Sequence, residues 1–91
     1  MRHKRSDLTE SEVKEMVMSP MQREVFDVID AWWKKYGYSP SLRDIAYVRG
    51  KTGMGSTLKI VNRLVELGAI KKLDRAGRSI RPVYINFRNL K

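Results

Sequence analysis

The chain has 91 residues, 42% of them hydrophobic, and a formal net charge of +9. This suits one domain with a modest core and excludes wholesale disorder; with no cysteine and one histidine, it also excludes a disulfide scaffold and a Cys- or His-built metal site. The charge is unevenly placed: residues 1–48 hold eight Lys/Arg and eight Asp/Glu, whereas residues 49–91 hold eleven Lys/Arg against only Glu66 and Asp74.

The N-terminus, Met1-Arg2-His3-Lys4-Arg5, is basic but leads into Asp7, Glu10 and Glu12, where a secretory leader would be apolar. Residues 1–18 read as a basic tail and a short helix over 9–18. Thr9 and Glu12 have capping-box spacing there, and Val13, Met16 and Val17 form a small apolar strip. Ser19-Pro20-Met21-Gln22 opens a second helix, with Ser19 as cap and proline at the first helical position. Met21, Val25, Val28, Ile29 and Trp32 recur at helical spacing, Phe26 and Trp33 widen that face, and Gly37 can take the left-handed cap. Core packing accounts for most of the aromatics; Tyr47 is the expected exposed exception.

Tyr38-Ser39-Pro40 is an extended connector, because the residue before proline avoids helical angles. Ser41 through Asp44 starts a short capped helix with Leu42, Ile45 and Ala46 inward, and Gly50 and Gly53 bracket a turn. A further helix runs from Gly55 to Leu67 and stops at Gly68. On it, Met54, Thr57, Leu58, Val61, Leu64 and Val65 gather on one side, and Ser56, Lys59, Arg63 and Glu66 on the other. Gly55 and Asn62 flank the polar side; Ile60 and Leu67 lie at its opposite flank. The period then changes to that of strands at 69–73 and 79–85, with a loop at 74–78 whose Gly77 suits a positive φ. Pro82 cannot donate to a ladder, so it belongs on an outer edge.

The predicted fold is mainly α with a small β-hairpin: a winged helix-turn-helix, three helices plus a wing, over residues 19–86. An extra helix precedes it, and residues 87–91 form a C-terminal tail. A basic half on such a frame points to a polyanion, and the expected partner is double-stranded DNA. Candidate contacts in the recognition helix and its turn are Lys51, Thr52, Gly55, Ser56, Lys59, Asn62 and Arg63. Those in the wing are Lys71, Lys72, Arg75, Arg78 and Arg81, and Ser41 and Arg43 at the preceding helix start are placed for the backbone. A solvated helix surface would also explain Ser, Lys and Arg on one face. A charged edge strand explains a lysine or two, but not five cations in the eleven residues 71–81. Asp44 and Glu66 are isolated carboxylates. Gly53-Met54-Gly55-Ser56 lacks a P-loop lysine, so no catalytic set, cofactor or metal site is expected.

Residues from about 19 to 85 resemble the N-terminal DNA-binding domain of the SOS repressor LexA. The resemblance rests on Gln22-Arg23-Glu24-Val25-Phe26-Asp27-Val28-Ile29, on Gly37-Tyr38-Ser39-Pro40-Ser41 through Asp44-Ile45-Ala46, on Arg63-Leu64-Val65-Glu66-Leu67-Gly68-Ala69-Ile70, and on Arg78-Ser79-Ile80-Arg81. It implies major-groove binding by helix 55–67 and a repressor-like role. The family's base contacts fall here on Gly53, Gly55, Ser56, Leu58 and Lys59. Two of these are glycines and one is apolar, so the family's operator is not carried over. The 91 residues do not hold the family's self-cleaving peptidase domain, which supplies most of its dimerisation. A homodimer through the N-terminal helix or the wing is therefore a further expectation. A cytoplasmic, nucleoid-associated regulator, from a phage or mobile element by its size, fits these features. A winged helix that binds a host protein and a non-specific architectural DNA-binding protein remain the alternatives.

Overall fold

Helices start where side chains satisfy the first unbonded amides. In a computed structural model, which describes residues 8–50, 54–72 and 79–85, four helices precede two strands. They are α1 (Glu10–Lys14), α2 (Pro20–Tyr36), α3 (Leu42–Val48) and α4 (Gly55–Leu67), followed by β1 (Ile70–Lys72) and β2 (Ile80–Pro82). Reciprocal capping boxes open α1 through Thr9 and Glu12, α2 through Ser19 and Gln22, and α3 through Ser41 and Asp44. Gly37 and Gly68 close α2 and α4 at φ 79° and 85°, a backbone region that favours glycine. The architecture is a winged helix-turn-helix.

The core is built on α2. Val25, Phe26, Ile29 and Trp33 are buried, and Ile45, Val61, Leu64, Ala69, Ile70, Ile80 and Val83 join the same cluster.

 The predicted inward stripe of α2 is therefore rotated: Met21 is exposed, and Val28 and Trp32 are only half-buried. The apolar arc is wider than so small a domain can cover, and the half that meets α4 and β2 is the half that is buried. Tyr36 and Tyr38, also expected inside, are about half exposed, and Tyr47 is exposed as expected. On α4, Thr57, Val61 and Leu64 are buried, but Met54 and Val65, expected on the dry side, are exposed.

α1 ends at Lys14, short of the predicted residue 18. Arg23 from α2 binds the carbonyl of its last residue and one just beyond it, donating to Lys14 O at 3.2 Å and Met16 O at 2.8 Å. Five residues do not hold a helix in isolation; docking does. Val13 is fully buried in the common core, and Leu8, Met16 and Met18 pack against it. Of the apolar strip expected to serve dimerisation, Val13 and Met16 are used within the chain, and Val17 stays outside, 91% exposed.

The strands pair antiparallel, with Ile70 opposite Pro82, Lys71 opposite Arg81 and Lys72 opposite Ile80. They are shorter than predicted: β2 ends at Pro82, and a turn follows, closed by Ile85 N–H to Pro82 O at 3.0 Å. Val83 N–H donates to Ala69 O at 2.9 Å. Because antiparallel pairs alternate, Ile80 and Pro82 turn their backbone groups away from β1. Pro82 thus has no N–H to leave unmet, in agreement with its predicted outward position. Ile80 has both groups, and both are satisfied by the helical body. Its N–H donates to Ser39 Oγ at 2.8 Å, and its carbonyl accepts from Trp33 Nε1 at 2.7 Å. Ser39 Oγ in turn donates to Pro40 O at 2.7 Å.

A second tie joins the residues after β2 to both N-terminal helices. Tyr84 Oη donates to Asp30 Oδ1 at 2.6 Å, and Lys34 Nζ lies 3.0 Å from both Asp30 Oδ2 and Glu10 Oε2. Hydrogen bonds from Lys34 and then Lys14 lower the pKa of Glu10, while Glu10 and then Asp30 raise that of Lys34. Burial, and then the bond to Asp30, push the Tyr84 phenol well above its usual range.

Two outcomes follow from these ties. Trp33→Phe removes the indole N–H, and with it some packing volume, and strands the buried Ile80 carbonyl, so urea unfolding should show a loss of at least about 1–3 kcal/mol; an unchanged midpoint would remove the bond from the account. For Tyr84, a raised folded pKa means its contribution is fully present below the unfolded value of about 10 and lost as pH rises through the folded one. Ultraviolet titration should therefore show a phenol that ionises only as the protein unfolds, and Tyr84→Phe should abolish that step. Its persistence in the variant would refute the assignment.

Candidate nucleic-acid interface

α3, the turn after it and α4 form the helix-turn-helix unit, and the hairpin follows α4 directly. The turn begins at Arg49 and Gly50, with Gly50 at φ 77°. Arg49 was not singled out in the sequence, yet it fixes the unit. Its side chain is 1% exposed; Nε donates to Glu24 Oε1 and NH1 to Thr57 Oγ1, each at 3.1 Å. One guanidinium thus links α2, the end of α3 and the buried side of α4. Its rigid, planar fork of donors suits two acceptors in different directions from a buried site. A lone arginine after an apolar helix carries no local signal of such a role.

The polar face of α4 emerges as expected. Gly55, Ser56, Lys59, Asn62 and Arg63 are all exposed, opposite the buried Thr57, Val61 and Leu64. Arg63 NH1 contacts Glu66 Oε1 at 2.9 Å, an exposed pair one turn apart that contributes little to stability. Gly55 is not a glycine that the fold demands: a Cβ built there meets nothing within 4 Å, and its φ is not positive. Unlike the other three helices, α4 starts at Met54 without a side-chain cap hydrogen bond. At the start of α3, Ser41 is half-buried and occupied as the N-cap, with its Oγ accepting from Asp44 N–H at 3.0 Å, whereas Arg43 is exposed.

The wing cations do not form one patch on the strands. Register places Lys71 and Arg81 opposite one another on one face, and alternation turns Lys72 to the other, with Ile70 and Ile80. All three are half-buried. Arg81 NH1 folds back onto the carbonyls of Val83 and Ile85. Lys51, Thr52, Arg75 and Arg78, the remaining predicted contacts, lie outside the described residues.

Among the described residues, no group of three or more His, Cys, Asp or Glu side chains could hold a metal ion, and no helix is long and apolar enough to cross a membrane. No curated protein matches the chain. The sequence model of the LexA DNA binding domain matches residues 15–79, which span α2 to β1 and the helix-turn-helix with its exposed polar face. The chain belongs to the LexA DNA-binding domain family.

Proposed function

We propose that this chain is a sequence-specific DNA-binding regulator, acting inside the cell as a repressor. It reads double-stranded DNA by placing α4 in the major groove and the wing along the backbone or minor groove. One observation carries this reading: the five exposed residues Gly55, Ser56, Lys59, Asn62 and Arg63 share the face of α4 that the core does not use. Lys59 and Arg63 can reach guanine acceptors or phosphates, and Asn62 can serve a base edge. The bare start of the helix lets its backbone approach, and the uncapped amides favour phosphate. Arg43 at the start of α3 and the cations Lys51, Lys71, Lys72, Arg75, Arg78 and Arg81 supply positive charge for the backbone.

Selection from a pool of randomised duplexes at near-physiological salt tests this. An enriched motif is the expected result. Retention without enrichment would support architectural binding instead, and no retention would favour a protein partner. Replacing Lys59 with alanine should relax base preference at one position of the motif. Replacing both Arg75 and Arg78 should weaken binding to all sequences and flatten the dependence of log affinity on log salt by about 0.9 per lost phosphate contact.

Gly55 separates folding from function. Because a Cβ has open space there, Gly55→Ala should leave the melting temperature unchanged or raise it slightly. Its DNA affinity should nonetheless fall severalfold through steric separation from the duplex. Undiminished affinity would show that α4 does not approach DNA by its first turn.

A further inference from the structure

The side of α2 that does not face the core borders a groove of ≈ 340 Å³, lined by Asp27, Val28, Ala31, Trp32, Lys35 and Tyr36 with Val48 of α3. Its walls are mainly apolar. The Trp32 ring lies 4.6 Å from that of Tyr36, centroid to centroid and tilted by 50°, and meets Tyr38 edge-on at 6.2 Å. Tyr36, Tyr38 and Val48 are each about half exposed, and the neighbouring Tyr47 is 82% exposed. The buried indole N–H of Trp32 has no acceptor among the described residues. This is a larger aromatic surface than a solvated helix face requires, and the DNA-binding reading uses none of it.

The charges on this face point to one occupant. Asp27, Ala31 and Lys35 are all exposed and follow one another at four-residue steps, so they form a stripe along α2 with about 6 Å of axial rise between neighbours. Neither Asp27 nor Lys35 enters an ion pair among the described residues. The stripe is self-complementary under a two-fold axis. If a second α2 crosses antiparallel with both Ala31 residues at the axis, each Asp27 comes opposite the second copy's Lys35, and the contact is made twice. The small side chain at the centre permits close approach of the helices, and the aromatic residues flank the crossing. We propose that this face of α2 is an isologous dimer interface occupied by a second copy of the chain.

The interface is separate from the polar face of α4, so dimerisation can be measured without DNA and does not depend on the DNA-binding reading. Sedimentation equilibrium on the whole chain, from micromolar to several hundred micromolar, should show a reversible monomer–dimer equilibrium. Ala31→Arg, at an exposed position, should leave the circular dichroism spectrum unchanged and raise the dissociation constant at least tenfold. Asp27→Lys and Lys35→Asp, made singly, should each weaken the dimer by placing like charges together. The double exchange should restore it, because the two-fold pairing is then rebuilt with reversed sign. A wild-type chain that stays monomeric throughout would overturn the proposal and leave the groove to a peptide of another protein. A dimer indifferent to Ala31→Arg and to the charge exchanges would also overturn it, by placing the contact on another face.

Discussion

The position of the wing depends on the two backbone groups of Ile80. A two-stranded hairpin is marginal alone in water, and each strand here pairs over three residues. The register turns the N–H and C=O of Ile80 away from β1, toward the helical body, where an unmet pair would be costly. Ser39 and Trp33 meet them. Those two residues are themselves fixed by other demands: Ser39 by its place before Pro40, and Trp33 by its burial on α2. The hairpin is thus held through its backbone as well as through Ile70, Ile80 and Val83 in the core.

The same helix serves every other element. The buried stripe of α2 meets α4 and β2, and its Asp30 takes the hydroxyl of Tyr84 and the ammonium of Lys34. Glu24, two turns earlier, holds Arg49 at the helix-turn-helix bend. Arg23 beside it ends α1. Acidic side chains are therefore concentrated where they organise the scaffold, and this explains why residues 1–48 are neutral in sum. In the second half Arg49 is drawn into that scaffold, while Lys59 and Arg63 stay on the surface. The uneven charge seen in the sequence is a division of labour between a supporting helix and the elements it supports.

How much could be read from the sequence follows from the range of each interaction. Caps at Thr9, Ser19 and Ser41 are made between residues three apart, so residue types at fixed spacing reveal them. The left-handed stops at Gly37 and Gly68 are equally local. The exposed face of α4 was legible because helical periodicity separates polar from apolar positions. The rotation of the buried stripe on α2 was not legible. Seven apolar residues define an arc, and only the positions of α4 and β2 decide which part is covered. Trp33 reaches Ile80 across 47 residues and Ser39 reaches it across 41, distances at which no local pattern survives. The strip on α1 has the same limit: amphipathicity shows that a face will be buried, not what will bury it, and here Val13 and Met16 meet the chain's own core.

The bareness of Gly55 bears on how such a domain could discriminate among DNA sequences. A side chain at the first turn of a recognition helix can read a base, but it also keeps the backbone at a distance. With glycine at 55 and serine at 56, that turn offers main-chain amides and one short hydroxyl. Contacts of this kind are suited to phosphate, and phosphate contacts set position rather than sequence. Discrimination would then fall on the second and third turns, to Lys59, Asn62 and Arg63. Of these, Arg63 already has Glu66 as a partner, and exchanging that carboxylate for a guanine edge adds little cost, since an exposed ion pair is weak. Base reading concentrated on three long or amide-bearing side chains predicts a short half-site, and two half-sites read by a symmetric pair would supply the length that one α4 lacks.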